Sequence, residues 1–238
     1  MRGRGPVLKN ITYKRVGNQT FRDLWCVGQI ETAHAELNKR GLTLSLIDVG
    51  AGQMPYRETA MKLGFDYKSH DFNKYDPTSG DIGLHSSWPQ HNHDFICDIL
   101  QIPTIEKFNL VLCTEVLEHV PDPVAAIKHL ERLVAPGGYL ILTAPLLSLI
   151  HQAPFHFSSG LTPFWYQHWF EHLGLECLEL GQHGDYADLS AQELRRVFFL
   201  PGFLQKPLAQ LAAVLLGKRA SLLSSGGFSI FAVARKLN

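Results

Sequence analysis

The chain has 238 residues; its 22 basic and 22 acidic side chains cancel to a formal net charge of zero, and 45% of its residues are hydrophobic. This is globular composition, which sets aside the disordered, collagen-like and membrane-embedded classes. The charge balance speaks against a general nucleic-acid binder, which needs surplus Lys and Arg to displace counterions from phosphate. Four scattered cysteines (Cys26, Cys97, Cys113, Cys177), with no C-x-x-C pair, fit reduced thiols in a cytoplasmic protein. The basic start Met1 to Pro6 is not followed by an apolar stretch, so no secretory signal is expected. The apolar run Tyr139 to Ile150 is too short for a bilayer, which takes about 20 residues.

In chain order, residues 1–19 lack periodicity and read as an irregular arm. Thr20 is placed to cap a helix to Arg40, with Leu24, Val27, Ile30 and Leu37 on one face and Gly41 as its stop. A buried strand over 44–49 runs into Gly50-Ala51-Gly52, and a helix over 56–63 ends at Gly64. Strands are expected at 65–71, 95–99, 108–113, 139–143, 175–180 and 228–235, with helices at 124–134 and 163–172. Apolar strands alternating with helices predict an α/β, Rossmann-like sheet of seven mostly parallel strands with helices on both faces, the last strand antiparallel.

Two segments break the rhythm. Residues 73–93 are polar and read as a loop over one edge of the site; they carry His85, His91 and His93, whose irregular spacing suits a solvated loop better than a metal site. Residues 182–227 read as a helical insertion before the last strand. They begin with a capping box at Ser190-Ala191-Gln192-Glu193 and carry Leu204, Leu208, Leu211 and Leu215 at helical spacing after Pro201-Gly202. The whole is expected to be one domain over 1–238: arm and helix to 40, core over 41–181, insertion over 182–227, final strand over 228–238.

Ligands of open parallel sheets bind at the carboxyl ends of strands. Gly50 and Gly52 sit at such an end and let the backbone approach a ligand that a Cβ would repel. Asp71 follows about 20 residues beyond the first glycine, the offset of an acid that grips a ribose. With Asp48-Val49-Gly50-Ala51-Gly52, Asp71, Asp98-Ile99, Thr114-Glu115-Val116-Leu117-Glu118-His119 and Ala135-Pro136-Gly137-Gly138-Tyr139-Leu140, the chain resembles the class I S-adenosylmethionine-dependent methyltransferases, in particular the group carrying E-V-L-E-H. The resemblance covers residues 20–180 and the final strand.

It implies that S-adenosyl-L-methionine is the cofactor, held by Asp48, Gly50, Ala51, Gly52, Asp71, Phe72, Asp98, Ile99, Thr114 and Glu115. Gly50 to Gly52 would pass under its methionine part, Asp71 would hold the ribose, Phe72 and Ile99 would flank the adenine, and Asp98 would accept from its amine. The chain departs from the family at Met54-Pro55, where the glycine loop has a small residue. That departure also spoils the G-x-G-x-x-G of a nicotinamide dehydrogenase.

Methyl transfer to a hydroxyl needs alignment and removal of a proton, a role that suits histidine near neutral pH. His119, His151 and His156 are the catalytic candidates, the last two in a run that looks like the H-x-x-P-x-H segment of methyltransferases acting on sugars, glycan intermediates and small metabolites. His129, His168 and His172 fall in helices and read as structural. The expected function is O-methylation of a small-molecule or glycan or lipid-linked acceptor. An alternative is a metal-dependent enzyme methylating RNA 3′-terminal 2′-hydroxyls, whose E-x-x-E-H pattern matches Glu115, Glu118 and His119 on one face of a helix. Neutral charge and the lack of a basic RNA-binding module favour the metal-free reading, so no metal is assigned and no nucleic-acid partner is expected. A scaffold that binds cofactor without catalysis is a further alternative. Core packing, a dimer contact and contact with a membrane surface all stay open for residues 197–219, as does monomer against homodimer.

Overall fold

The computed structural model describes residues 9–10, 21–74, 91–183 and 229–237. They form one mixed sheet from β1 (Lys9–Asn10), β2 (Ser45–Val49), β3 (Asp66–Asp71), β4 (Phe95–Ile96), β5 (Phe108–Thr114), β6 (Val134–Pro145), β7 (Leu175–His183) and β8 (Ser229–Lys236). The spatial order is β1-β7-β8-β6-β5-β2-β3-β4. All neighbouring pairs are parallel except those of β8, which runs antiparallel to both β6 and β7. This is the Rossmann-like architecture expected, with one addition: β1 lies in the arm read as irregular and adds an edge strand beside β7.

The helices are α1 (Phe21–Lys39), α2 (Arg57–Lys62), α3 (Pro123–Leu133) and α4 (Pro163–His172). Successive side chains of a strand face opposite sides, and each side finds its own helices. Val111, Cys113, Leu140, Leu142 and Ala232 join a core with Ile127 and Leu130 of α3 and Tyr166 and Phe170 of α4. Leu110, Leu112, Ile141 and Phe231 join the opposite core with Trp25, Ile30 and Leu37 of α1 and Ala60 of α2. Each fully buried Leu or Ile stabilises the fold by about 1.5–3 kcal/mol.

The buried face of α1 is rotated from the expected one. Trp25, Cys26, Ile30, Ala33 and Leu37 are inside, while Leu24 and Val27 are only partly covered. The indole of Trp25 offers more apolar area than Leu24 and hands its Nε1–H to Glu179 on β7. Gly41, at φ 65°, ends the helix as expected, with Leu42 N–H returning to Leu37 O at 3.0 Å.

Two strand boundaries also moved. The strand expected at 95–99 stops at Ile96, because Asp98 accepts from Leu100 N–H at 2.9 Å and caps a 3-10 turn over 99–101. The strand expected at 139–143 begins at Val134, directly after α3, and absorbs Pro136-Gly137-Gly138 at a register shift against Phe108 and Leu110. Only glycine fits at 138, where a Cβ would lie 2.9 Å from the carbonyl oxygens of Ala135 and Asn109. The Thr20 cap and nearly all of the expected insertion (its first two residues belong to β7) lie outside the described residues. Among the described residues, no helix is long and apolar enough to cross a membrane.

Candidate active site

The carboxyl ends of β2, β3 and β5 open into a cleft of about 860 Å3. At its floor the chain turns at Gly50 (φ 71°) and Gly52 (φ 50°). Gly50 and Ala51 N–H groups both donate to His70 O at 2.9 Å, and Gly52 N–H donates to Asp71 Oδ2 at 3.0 Å. The turn is therefore fixed against the end of β3 before any ligand arrives. Asp71 also accepts from Asn73 N–H through Oδ1 at 2.9 Å, which orients the carboxylate and leaves further lone pairs on both oxygens.

His70 completes this scaffold. Its Nε2–H donates to Cys97 O at 3.0 Å, so Nδ1 faces Gly50 N–H as an acceptor at 3.4 Å. Burial holds its pKa below the ordinary histidine value, which keeps the ring neutral and this pattern intact.

Gly50, Ala51, Gly52, Asp71, Phe72, Asp98, Ile99, Thr114 and Glu115 all line the cleft, together with His119 and His151. His156 does not line it, but its ring centroid lies 4.6 Å from that of His151 and 5.8 Å from that of His119. Asp48 is set apart: it is fully buried beneath the turn, off the cleft wall, and accepts from Tyr67 OH through Oδ2 at 2.8 Å. Burial pushes its pKa up to about 7, against the opposing effect of that hydrogen bond.

The E-V-L-E-H segment is not the helix that its spacing suggested. Glu115 has φ 55°, with its N–H on Thr143 O at 2.9 Å, and only Leu117–His119 form a single 3-10 turn. Four non-glycine residues among those described have positive φ: Met54, Asn73, Glu115 and Gln152. Three line the cleft and Met54 sits between Gln53 and Pro55, which do. Strained backbone collects at this one place, as it does around binding sites.

The 3-10 turn puts Glu118 inward, 1% exposed, with neither carboxylate oxygen hydrogen-bonded. Burial, and then the charge of Glu115, raise its pKa well above the carboxylate range. Its carbonyl accepts from Phe157 and Ser158 N–H at 2.9 and 3.2 Å, which ties the loop carrying His151 and His156 to the turn. The His119 Nδ1–H donates to Phe155 O of the same loop at 2.6 Å. Carboxyl and imidazoles thus meet on the lining of the cleft that also holds the glycine turn and Asp71.

Several lining residues carry no sequence signal. Arg22 and Asp23 come from the first turn of α1, Tyr56 from the start of α2, and His70 from inside β3. His91 and His93, in the segment expected as a loop over one edge of the site, also line the cleft, while His85 lies outside the described residues. No motif marks these positions; the fold alone gathers them. His129 is structural as expected, with Nε2–H on Ile102 O at 2.9 Å.

Residues 21–203 match the family model described as a methyltransferase domain. A ubiquinone biosynthesis O-methyltransferase of Coxiella burnetii (strain Dugway 5J108-111) is 32% identical over 101 residues, covering 41% of this chain and 42% of that protein. The chain thus aligns with under half the length of that relative. A ubiquinone biosynthesis O-methyltransferase of Psychrobacter arcticus is 26% identical over 197 residues, 81% of this chain and 72% of that protein. Among solved structures, a SAM-dependent methyltransferase from Archaeoglobus fulgidus superposes with a TM-score of 0.52 at 14% identity, covering 91% of this chain and all of the other.

Proposed function

The chain belongs to the class I S-adenosylmethionine-dependent methyltransferases, and on that footing we propose that it methylates a hydroxyl oxygen of a small, partly apolar molecule. The observation that carries this reading is the convergence of His119, His151 and His156 at the end of the cofactor cleft.

The cofactor, when bound, supplies a methyl group already activated on a sulfonium. What falls to the chain is to hold, orient and deprotonate. Gly50 to Gly52 offer a backbone cradle, Asp71 offers free lone pairs to a ribose diol, and the Asp98 oxygen not used by Leu100 suits an adenine amine. The guanidinium of Arg22, on the cleft wall, suits the carboxylate of the amino-acid part. In the transfer an O–CH3 bond forms as the S–CH3 bond breaks. The hydroxyl proton passes to an imidazole nitrogen, leaving a methyl ether and S-adenosylhomocysteine.

The apolar character of the acceptor is supported by the loop that delivers His151, which also exposes Leu147, Leu149, Ile150 and Phe157. The O-methyltransferase names of the curated relatives support oxygen as the methylated atom. Neutral charge favours such an acceptor over RNA.

The test is S-adenosylhomocysteine formation against a panel of hydroxylated aromatics, matched amines, sugars and an RNA oligonucleotide with a 3′-terminal ribose. Turnover confined to apolar hydroxyl compounds is expected. Of the single variants His119→Ala, His151→Ala and His156→Ala, at least one should lower kcat by about 10²–10⁴ while S-adenosylhomocysteine affinity is kept. Turnover of amines alone, or of RNA alone, would overturn the proposal.

A further inference from the structure

We propose that Glu118, His119 and His151 form a binding site for a divalent transition-metal ion, Zn2+ or a first-row neighbour, at the acceptor end of the cleft. One ligand atom from each residue lies within 4.8 Å of the other two. Ligand atoms around a tetrahedral ion with bonds of 2.0–2.2 Å are about 3.4 Å apart, so small side-chain rotations close the set.

Independent features point to an ion. Glu118 is buried with two unbonded carboxylate oxygens, an arrangement that costs free energy unless something binds them. The imidazoles are pre-oriented as ligands are. His119 Nδ1 faces Phe155 O at 2.6 Å; a carbonyl oxygen only accepts, so the neutral ring carries its proton on Nδ1 and its lone pair on Nε2. His151 Nδ1 faces Leu149 O at 3.0 Å and Ser148 Oγ at 3.2 Å, and with the Ser148 hydroxyl donating to Leu149 O at 3.1 Å the same tautomer results. That is the arrangement in which a second hydrogen bond fixes the tautomer of a metal-bound histidine. His119 Nε2 is already 3.7 Å from Glu118 Oε1.

The three residues come from two chain segments locked to each other by the Phe157 and Ser158 bonds to Glu118 O, so the set is held before metal arrives. Two imidazoles and one carboxylate suit Zn2+ and similar ions and leave coordination positions open. Resting on the methyltransferase reading above, those positions would take the acceptor hydroxyl and lower its pKa, while His156 takes the proton. Net charge and the lack of a basic RNA-binding module carry no sign of this set, because the orphaned carboxylate and the two Nδ1 anchors are visible only in three dimensions.

The test uses the full chain, stripped with EDTA and dialysed. Zn2+ is titrated by calorimetry and Co2+ by its visible absorption, in wild type, Glu118→Gln and His151→Ala, with S-adenosylhomocysteine affinity measured in parallel. Expected are a single tight site in wild type, a Co2+ spectrum of nitrogen and oxygen ligation, and at least tenfold weaker binding in both variants. Glu118→Gln keeps the buried volume, and His151 lies at the cleft surface, so retained S-adenosylhomocysteine affinity certifies folded variants. No binding in wild type, or equal binding in all three proteins, overturns the site. Metal binding without S-adenosylhomocysteine binding would leave the site standing and overturn the methyltransferase reading instead.

Discussion

At Gly50 a methyl group decides between a working turn and a broken one. A Cβ there would overlap Val116 Cγ2, and φ is already 71°. Gly50→Ala should therefore weaken S-adenosylhomocysteine binding by at least tenfold and lower the Tm; calorimetry and a melt check both. Beneath it, Asp48 makes a prediction of opposite kind. Its folded pKa is about 7 against 3.8 when free, so between those values the folded chain holds a proton that the unfolded chain has released. Stability should then fall as pH rises through that window, by at most about 4 kcal/mol at roughly 1.4 kcal/mol per unit. Asp48→Asn keeps an acceptor for Tyr67 OH and removes the slope. Urea unfolding from pH 4 to pH 8 should show wild type losing stability relative to the variant; parallel curves would refute the assignment. At this scale the glycines and Asp71 were legible because a ligand cradle needs them at fixed spacing. Arg22, Tyr56 and His70 were not, since each joins the cleft from a separate element by tertiary packing alone.

Among the elements, the boundaries carry the lesson. α3 starts where expected because Asp122 accepts from both Val124 and Ala125 N–H, at 3.0 and 2.9 Å, just before Pro123. Asp122→Ala should cost about 1 kcal/mol of stability, read by denaturant unfolding, with little change in S-adenosylhomocysteine affinity because Asp122 is exposed and does not line the cleft. Strong periodicity made the central strands and α3 and α4 readable. The E-V-L-E-H segment was misjudged as helix because an i, i+3, i+4 spacing is shared by a helix and by a 3-10 turn entered from a left-handed residue. Glu115 has no glycine to announce its φ of 55°, and its conformation is imposed by the bond to Thr143 on the neighbouring strand.

Over the whole molecule, the cofactor site is built on strand ends that the core already fixes, so ligand binding should add to global stability. S-adenosylhomocysteine at a hundred times its Kd should add about 2.7 kcal/mol, a Tm rise of roughly 5–10 °C for a chain of this length. NADH at the same concentration should leave the Tm unchanged. The pairing of Lys9 and Asn10 with β7 has a wider consequence. Unpaired backbone at a long sheet margin is a template for other chains to add onto. At one margin β4 offers only two residues beside the six of β3, and at the other Lys9 and Asn10 cover part of the nine-residue β7. Lys9 and Asn10 spend their backbone bonds on Gly181 and Gln182, beside the place where Phe21 stacks on His183 at 3.4 Å. Clipping the chain before Gly17 would leave β7 as the margin, and the shortened protein should self-associate on light scattering at concentrations where the full chain stays dispersed.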